Sequence, residues 1–138
     1  MTAIDMTRRN SSLGFFGTFG RSADLRMLDK ALRAVDLHPA QVPEGAKLTI
    51  VNLMKDHFPH GEPPESAYGP VAELFGYCLV GPNVFALANG PDSTASAERR
   101  LEMAIDRSES LDGQLVLLAI HSKLISPVVV DRYELSVE

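Results

Sequence analysis

The chain lacks tryptophan, holds one cysteine in 138 residues, and is only 7% aromatic. A single thiol, Cys78, excludes an internal disulfide, so a folded state has to rest on its own core. A chain of this length buries roughly 68% of the surface its unfolded form exposes, enough for a core without staples. Extended apolar runs are also missing: none approaches the roughly 18 residues of a membrane span, and no membrane partner is expected. Basic clusters are absent as well. Residues 1–69 carry eight basic and eight acidic side chains, and residues 70–138 carry five against ten, so the net charge of −5 lies wholly in the second half. Phosphate backbones are held by clustered Lys and Arg, and binding to nucleic acid, DNA included, is therefore not expected.

What is present is an ordinary globular composition, 45% hydrophobic and 22% charged, which excludes collagen-like and wholly disordered classes. Cys78 has the apolar flanks Leu74, Phe75, Tyr77, Leu79 and Val80. Catalytic thiols need an electropositive, accessible setting, so a buried structural role is expected. Near the N-terminus, Thr7-Arg8-Arg9 superficially looks like an export signal. The apolar stretch after it is short and broken by glycine, and no small-residue cleavage site follows. A cytoplasmic location is the default expectation.

Residues 1–21 show no period and read as a flexible tail, with Phe15, Phe16 and Phe19 set among Gly14, Gly17 and Gly20. Ser22 is a helix cap, and Leu25, Leu28, Leu32 and Val35 recur at helical spacing up to His38-Pro39. A second helix starts at Pro43-Glu44, although the β-branched Thr49, Ile50 and Val51 keep a strand over 47–53 open. The run from Pro59 to Pro64 breaks the chain. Beyond it, Gly69-Pro70, Gly81-Pro82 and Gly90-Pro91 punctuate the sequence. Gly is favoured past a helix end and Pro in the first turn of the next, which predicts short helices over 70–80 and 82–89. Two further helices are expected near 94–108 and 111–125, with Ser108 or Ser110 as cap and Asp112-Gly113 as an interruption. Residues 115–120 are apolar all round, the pattern of a helix buried in a bundle or by a partner. At the C-terminus Ser126-Pro127 could start a last helix, but Val129, Tyr133, Leu135 and Val137 alternate and slightly favour a strand.

Several groups carry candidate chemistry. His57, His60 and Glu62 form the densest titratable cluster, and imidazole with carboxylate suits zinc or a similar divalent ion. The competing reading is a helix end followed by an exposed loop, since the helix dipole favours histidine there without metal. The glycines at 14, 17 and 20 precede a helix N-terminus, yet no Walker pattern follows. His121, on the apolar helix, has no Ser, Cys or carboxylate partner at motif spacing. Asn89-Gly90-Pro91-Asp92 fails as a calcium loop, because Ser96 stands where the bidentate Glu belongs.

These features predict a flexible tail over 1–21 and one mainly α domain over 22–138. That domain is expected to be a bundle of five to seven helices, with a short C-terminal β-strand and an α+β fold as the alternative. The expected function is a non-enzymatic interaction module that self-associates or binds a protein partner through Phe15, Phe16, Phe19, Leu117 and His121. The competing expectations are a metal-dependent enzyme using the 56–62 cluster and a regulatory domain with a pocket bordered by Leu74, Phe85 and Leu118. No cofactor is specified by these residues.

Overall fold

The computed structural model of the chain describes residues 22–137. The architecture is mainly helical, with no strand among the described residues. Among the described residues five α-helical elements follow in order: α1 (Ala23–Ala34), α2 (Glu44–His57), α3 (Tyr68–Ile105), α4 (Leu111–His121) and α5 (Pro127–Tyr133). Short 3-10 turns at Pro39–Gln41, Pro59–Gly61 and Glu65–Ala67 fill the proline-rich connections.

Each helix start follows from local chemistry. Ser22 Oγ accepts a hydrogen bond from the Leu25 N–H at 3.2 Å and caps α1. The three-four spacing then turns Leu25, Leu28 and Leu32 into the core. Residues 47–53 are helical, so the strand alternative there gives way to burial of Ile50, Val51 and Met54 on one face of α2. Ser110 caps α4 by accepting from the Gly113 N–H at 3.0 Å. The Asp112-Gly113 pair does not interrupt this helix but opens it. A Cβ at Gly113 would run into the Arg107 carbonyl oxygen and lie 2.7 Å from Ser108 Cα.

The Gly-Pro pairs play two different parts. Gly69-Pro70 lies inside the first turn of α3, where a missing N–H costs no helical bond. Gly81 and Gly90 instead break α3 into runs of residues 68–80, 82–89 and 91–105, with φ/ψ of 87/169° and 87/171°. Proline disfavours the α conformation for the residue before it, and at these two positions the chain leaves it for a backbone region that only glycine takes freely. The three runs therefore change direction and wrap the core.

Residues 127–133 form a helix, where the alternation of Val129 to Val137 favours a strand on sequence alone. Ser126 decides the matter. Its Oγ accepts from the Val128 N–H at 3.2 Å, while its own N–H donates to the Cys78 carbonyl at 2.8 Å. That second bond docks the start of α5 on α3. With no neighbouring strand edge among the described residues, an extended segment would have left its backbone groups unpaired.

The core is centred on Tyr68, Phe75, Tyr77, Phe85, Leu74, Leu101 and Leu115, all within 1% of full burial. α4 packs against α3 and α2, α1 against α3 and α2, and α5 against α3. Polar ties cross the joints. Arg100 holds Asp112 side-on (Nε–Oδ2 3.1 Å, Nη2–Oδ1 2.8 Å) and donates to the Pro70 carbonyl at 2.7 Å. Tyr77 donates to Glu98 at 2.9 Å and meets the Tyr133 hydroxyl at 3.1 Å. Burial, then the bonds to Tyr133 and Glu98, push the Tyr77 phenol far above its usual range.

Candidate contact surface

The predicted metal-binding residues are not drawn together. His57 ends α2 and its Nε2 lies 2.9 Å from Gln114 Oε1. His60 sits in the Pro59–Gly61 turn with φ 59°, and Glu62 is exposed beyond it. Among the described residues no group of three or more His, Cys, Asp or Glu side chains is placed to hold a metal ion. Cys78 is buried, and desolvation pushes its thiol up to about 12, which leaves no thiolate nucleophile at neutral pH.

The expected partner residues divide. Phe15, Phe16 and Phe19 lie outside the described residues. Leu117 is 38% exposed and His121 is exposed one turn later, so the two share the outer edge of α4. The rest of that helix is covered: Leu115, Val116, Ala119 and Ile120 are all buried. Leu74 and Phe85, expected to border a ligand pocket, are sealed in the core, with Phe85 edge-on to Tyr77 at 5.8 Å between ring centroids.

Large apolar side chains are also exposed at Leu48, Met103, Ile105 and Val128, and the most exposed of those described, Leu87, lies with Val84 on residues 82–89 of α3. Leu87 is 89% exposed and Val84 56% exposed, and Ala88 is exposed beside them. Helical spacing puts these three on one face. That face flanks a hollow of about 30 Å³, lined by Val35, Leu37, Gly76, Val80, Val84, Phe85, Ala88 and their polar neighbours Asp36 and Asn89. The volume suits about one water molecule, which excludes a cofactor site but fits the foot of a hydrophobic side chain lying across it.

Why the surface sits there is readable residue by residue. Gly81 and Gly90 release the 82–89 run from both neighbours, and Phe85 anchors its inner side at 1% exposure. Asn89 pins the far end, its Nδ2 donating to the Val35 carbonyl at 3.0 Å and the Phe85 carbonyl at 3.3 Å. Gly76 makes room underneath: a Cβ there would touch Val35 at 3.4 Å and Phe85 at 3.6 Å. Sequence reasoning passed over Val84 and Leu87, although their three-residue spacing between two Gly-Pro pairs was the available signal.

A span made of α3 with its preceding turn, Glu65–Ile105, is long and apolar enough to cross a membrane by length and composition, at mean hydropathy 1.5 over its most apolar stretch. More than half of its most apolar stretch, 56%, is buried inside the domain, and two breaks interrupt the span. No family model, curated protein or solved structure matches the chain.

Proposed function

We propose that the protein is a non-enzymatic helical interaction module, and that its contact surface is the face of residues 82–89 with the adjoining end of α1. One observation carries this reading. Leu87 stands 89% exposed on a segment tied to α1 through Asn89, in a domain whose other strongly apolar helix, α4, is mostly covered. Burying a leucine gains about 1.5–3 kcal/mol, so a partner able to cover Leu87 and Val84 together gains a useful fraction of a binding energy. The sites on the outer edge of α4, Leu117 and His121, are secondary, because a half-covered leucine and a solvated imidazole offer less area.

Light scattering on the full chain, over a concentration series reaching the millimolar range, tests the self-association this surface supports. The mass is expected to rise above the 15.0 kDa monomer, and Leu87→Glu is expected to hold it at the monomer value. A wild type and a Leu87→Glu variant that behave identically at every concentration would overturn the assignment of this face.

A further inference from the structure

We infer that the partner of the 82–89 face is a second copy of this chain, paired isologously so that each Leu87 enters the other's hollow beside Val84. The inference rests on the assignment of that face and adds its occupant. The face carries a knob and a hole at once. Leu87 stands 89% exposed, and the hollow of about 30 Å³ lies beside it, between Val84, Ala88 and the end of α1. Gly76 keeps that hollow open, since a Cβ there would touch Val35 at 3.4 Å and Phe85 at 3.6 Å. A two-fold interface needs a surface complementary to itself, with residue i meeting j and j meeting i. A knob beside a hole meets that requirement, because the two-fold axis midway between them carries each onto the other. A foreign side chain would fill the hollow and leave the cover of Leu87 to be found elsewhere. A second copy satisfies both features in both molecules.

Helical spacing places the axis. At about 100° per residue, Val84 and Ala88 form one row with Leu87 on one side of it. Phe85 and Asn89, which also border the hollow, lie on the other side. The midpoint between knob and hole is therefore the row of Val84 and Ala88. The axis runs along that row, so the two copies of the run lie parallel and Ala88 faces its own copy. Charge agrees with this arrangement. Two copies of a chain with net charge −5 repel each other, yet residues 82–91 carry no charge. Asp36, which borders the hollow, lies off the axis, so the two-fold sets the two Asp36 carboxylates on opposite rims. Area sets the strength. Eight helical residues are about 12 Å long and about 10 Å across, a footprint far under the ~800 Å² per partner of a stable interface. The pairing is accordingly weak and exchanging, with half-association at the upper end of the concentration series.

Two experiments on the full chain test the pairing. In the first, L87E and V84K are each followed by light scattering alone and then as an equimolar mixture. Each substitution is expected to raise the concentration of half-association at least about tenfold, because it fails at both knob–hole contacts of its own dimer. The mixture is expected to recover association. There the new carboxylate meets the new ammonium at one contact, and a native leucine meets a native hollow at the other. A mixture as dissociated as its components, with L87E effective alone, overturns the pairing and leaves the face to a different partner. In the second, A88C and N83C are oxidised mildly, with buried Cys78 left in place. Both positions are exposed, but only Ala88 lies at the axis. A disulfide between chains is expected for A88C and not for N83C, and absent, equal or reversed linkage overturns the pairing. L87E without effect at any concentration overturns both the pairing and the face on which it rests.

Discussion

Residues 111–121 and 82–89 are comparable apolar stretches, and they end in opposite environments. α4 is apolar all round over residues 115–120 and packs against α3 and α2, with Leu115 and Ala119 fully buried and an outer edge at Leu117 and His121 left open. The 82–89 run has a buried side, carried by Phe85, and an open side carrying Val84 and Leu87. The difference is one of layers. α4 has a helix on either side, whereas the 82–89 run has the core beneath it and no helix above among the described residues. Apolar content in a sequence therefore says how much surface seeks cover, and the arrangement of neighbours says which of it finds cover.

The largest effects belong on the sealed side. Leu115→Ala removes a side chain at 0% exposure and is expected to cost about 2–5 kcal/mol, read from a urea unfolding curve. Gly113→Ala should cost about as much by the opposite means. Its Cβ has to displace the backbone of Arg107 and Ser108, and overpacking against backbone costs about 1–3 kcal/mol or more. A Leu115→Ala loss within about 0.5 kcal/mol, the range of surface changes, would show that α4 is not the centre of the core.

The two breaks of α3 sharpen the comparison at the next level. Gly81 and Gly90 share φ +87°, but a Cβ at Gly81 would meet Ser126 Oγ at 3.1 Å and one at Gly90 would meet open space. Alanine in this backbone region costs about 1–3 kcal/mol. Gly81→Ala is expected at the upper end and Gly90→Ala at the lower, since only the first also disturbs the docking of α5. Equal midpoints for the two variants would deny that docking any part in stability.

Alkaline pH acts on the sealed side alone. Burial, with the bond to Asp24, raises the Tyr68 phenol from 10.0 to about 12, and Tyr77 and Tyr133 are raised chiefly by burial. Below pH about 10 these phenols are neutral in both states and contribute no pH dependence. Above it the unfolded chain ionises first, so stability falls as pH climbs from about 10 through 12. Denaturant midpoints measured across that interval should drop steadily, with tyrosinate absorbance appearing together with unfolding. Tyrosinate that forms while the helices remain intact would contradict the burial of these rings.

Much of this organisation was legible in the sequence. Ser22 and Ser110 announced their helices because capping is a local event, and the leucines of α1 kept their helical period. The breaks at Gly81 and Gly90 were marked by proline, whose constraint on its neighbour is also local. Helix ends were harder to read. α1 and α4 close with Asp36 at φ 65° and Lys123 at φ 62°, positions where glycine is the usual signal. There the Leu37 N–H bonds the Leu32 carbonyl at 2.9 Å, and the Leu124 N–H bonds the Ala119 carbonyl at 3.0 Å, the six-to-one bonds of a Schellman cap formed without its usual glycine. The C-terminal helix was masked by alternating valines, because the bond that settles it joins Ser126 to Cys78, far away in sequence. For the contact surface, the apolar side chains were visible, but which of them the fold would leave bare depended on how the helices stack.

The smallest effect on stability is expected where the comparison predicts the largest effect on association. Leu87 is 89% exposed, so the folded and unfolded chains hydrate it almost equally. Leu87→Ser therefore removes little transfer energy and should shift the unfolding free energy by no more than about 0.5 kcal/mol. Replacing Phe85, two residues earlier and 1% exposed, by alanine should cost about 3–5 kcal/mol, although both residues sit on the same two turns of helix. Measured side by side in urea, the pair separates a residue that holds the fold from one that the fold displays. A large loss from Leu87→Ser would mean that Leu87 is covered in the folded chain at all times, and the open side of the 82–89 run would then be part of the core.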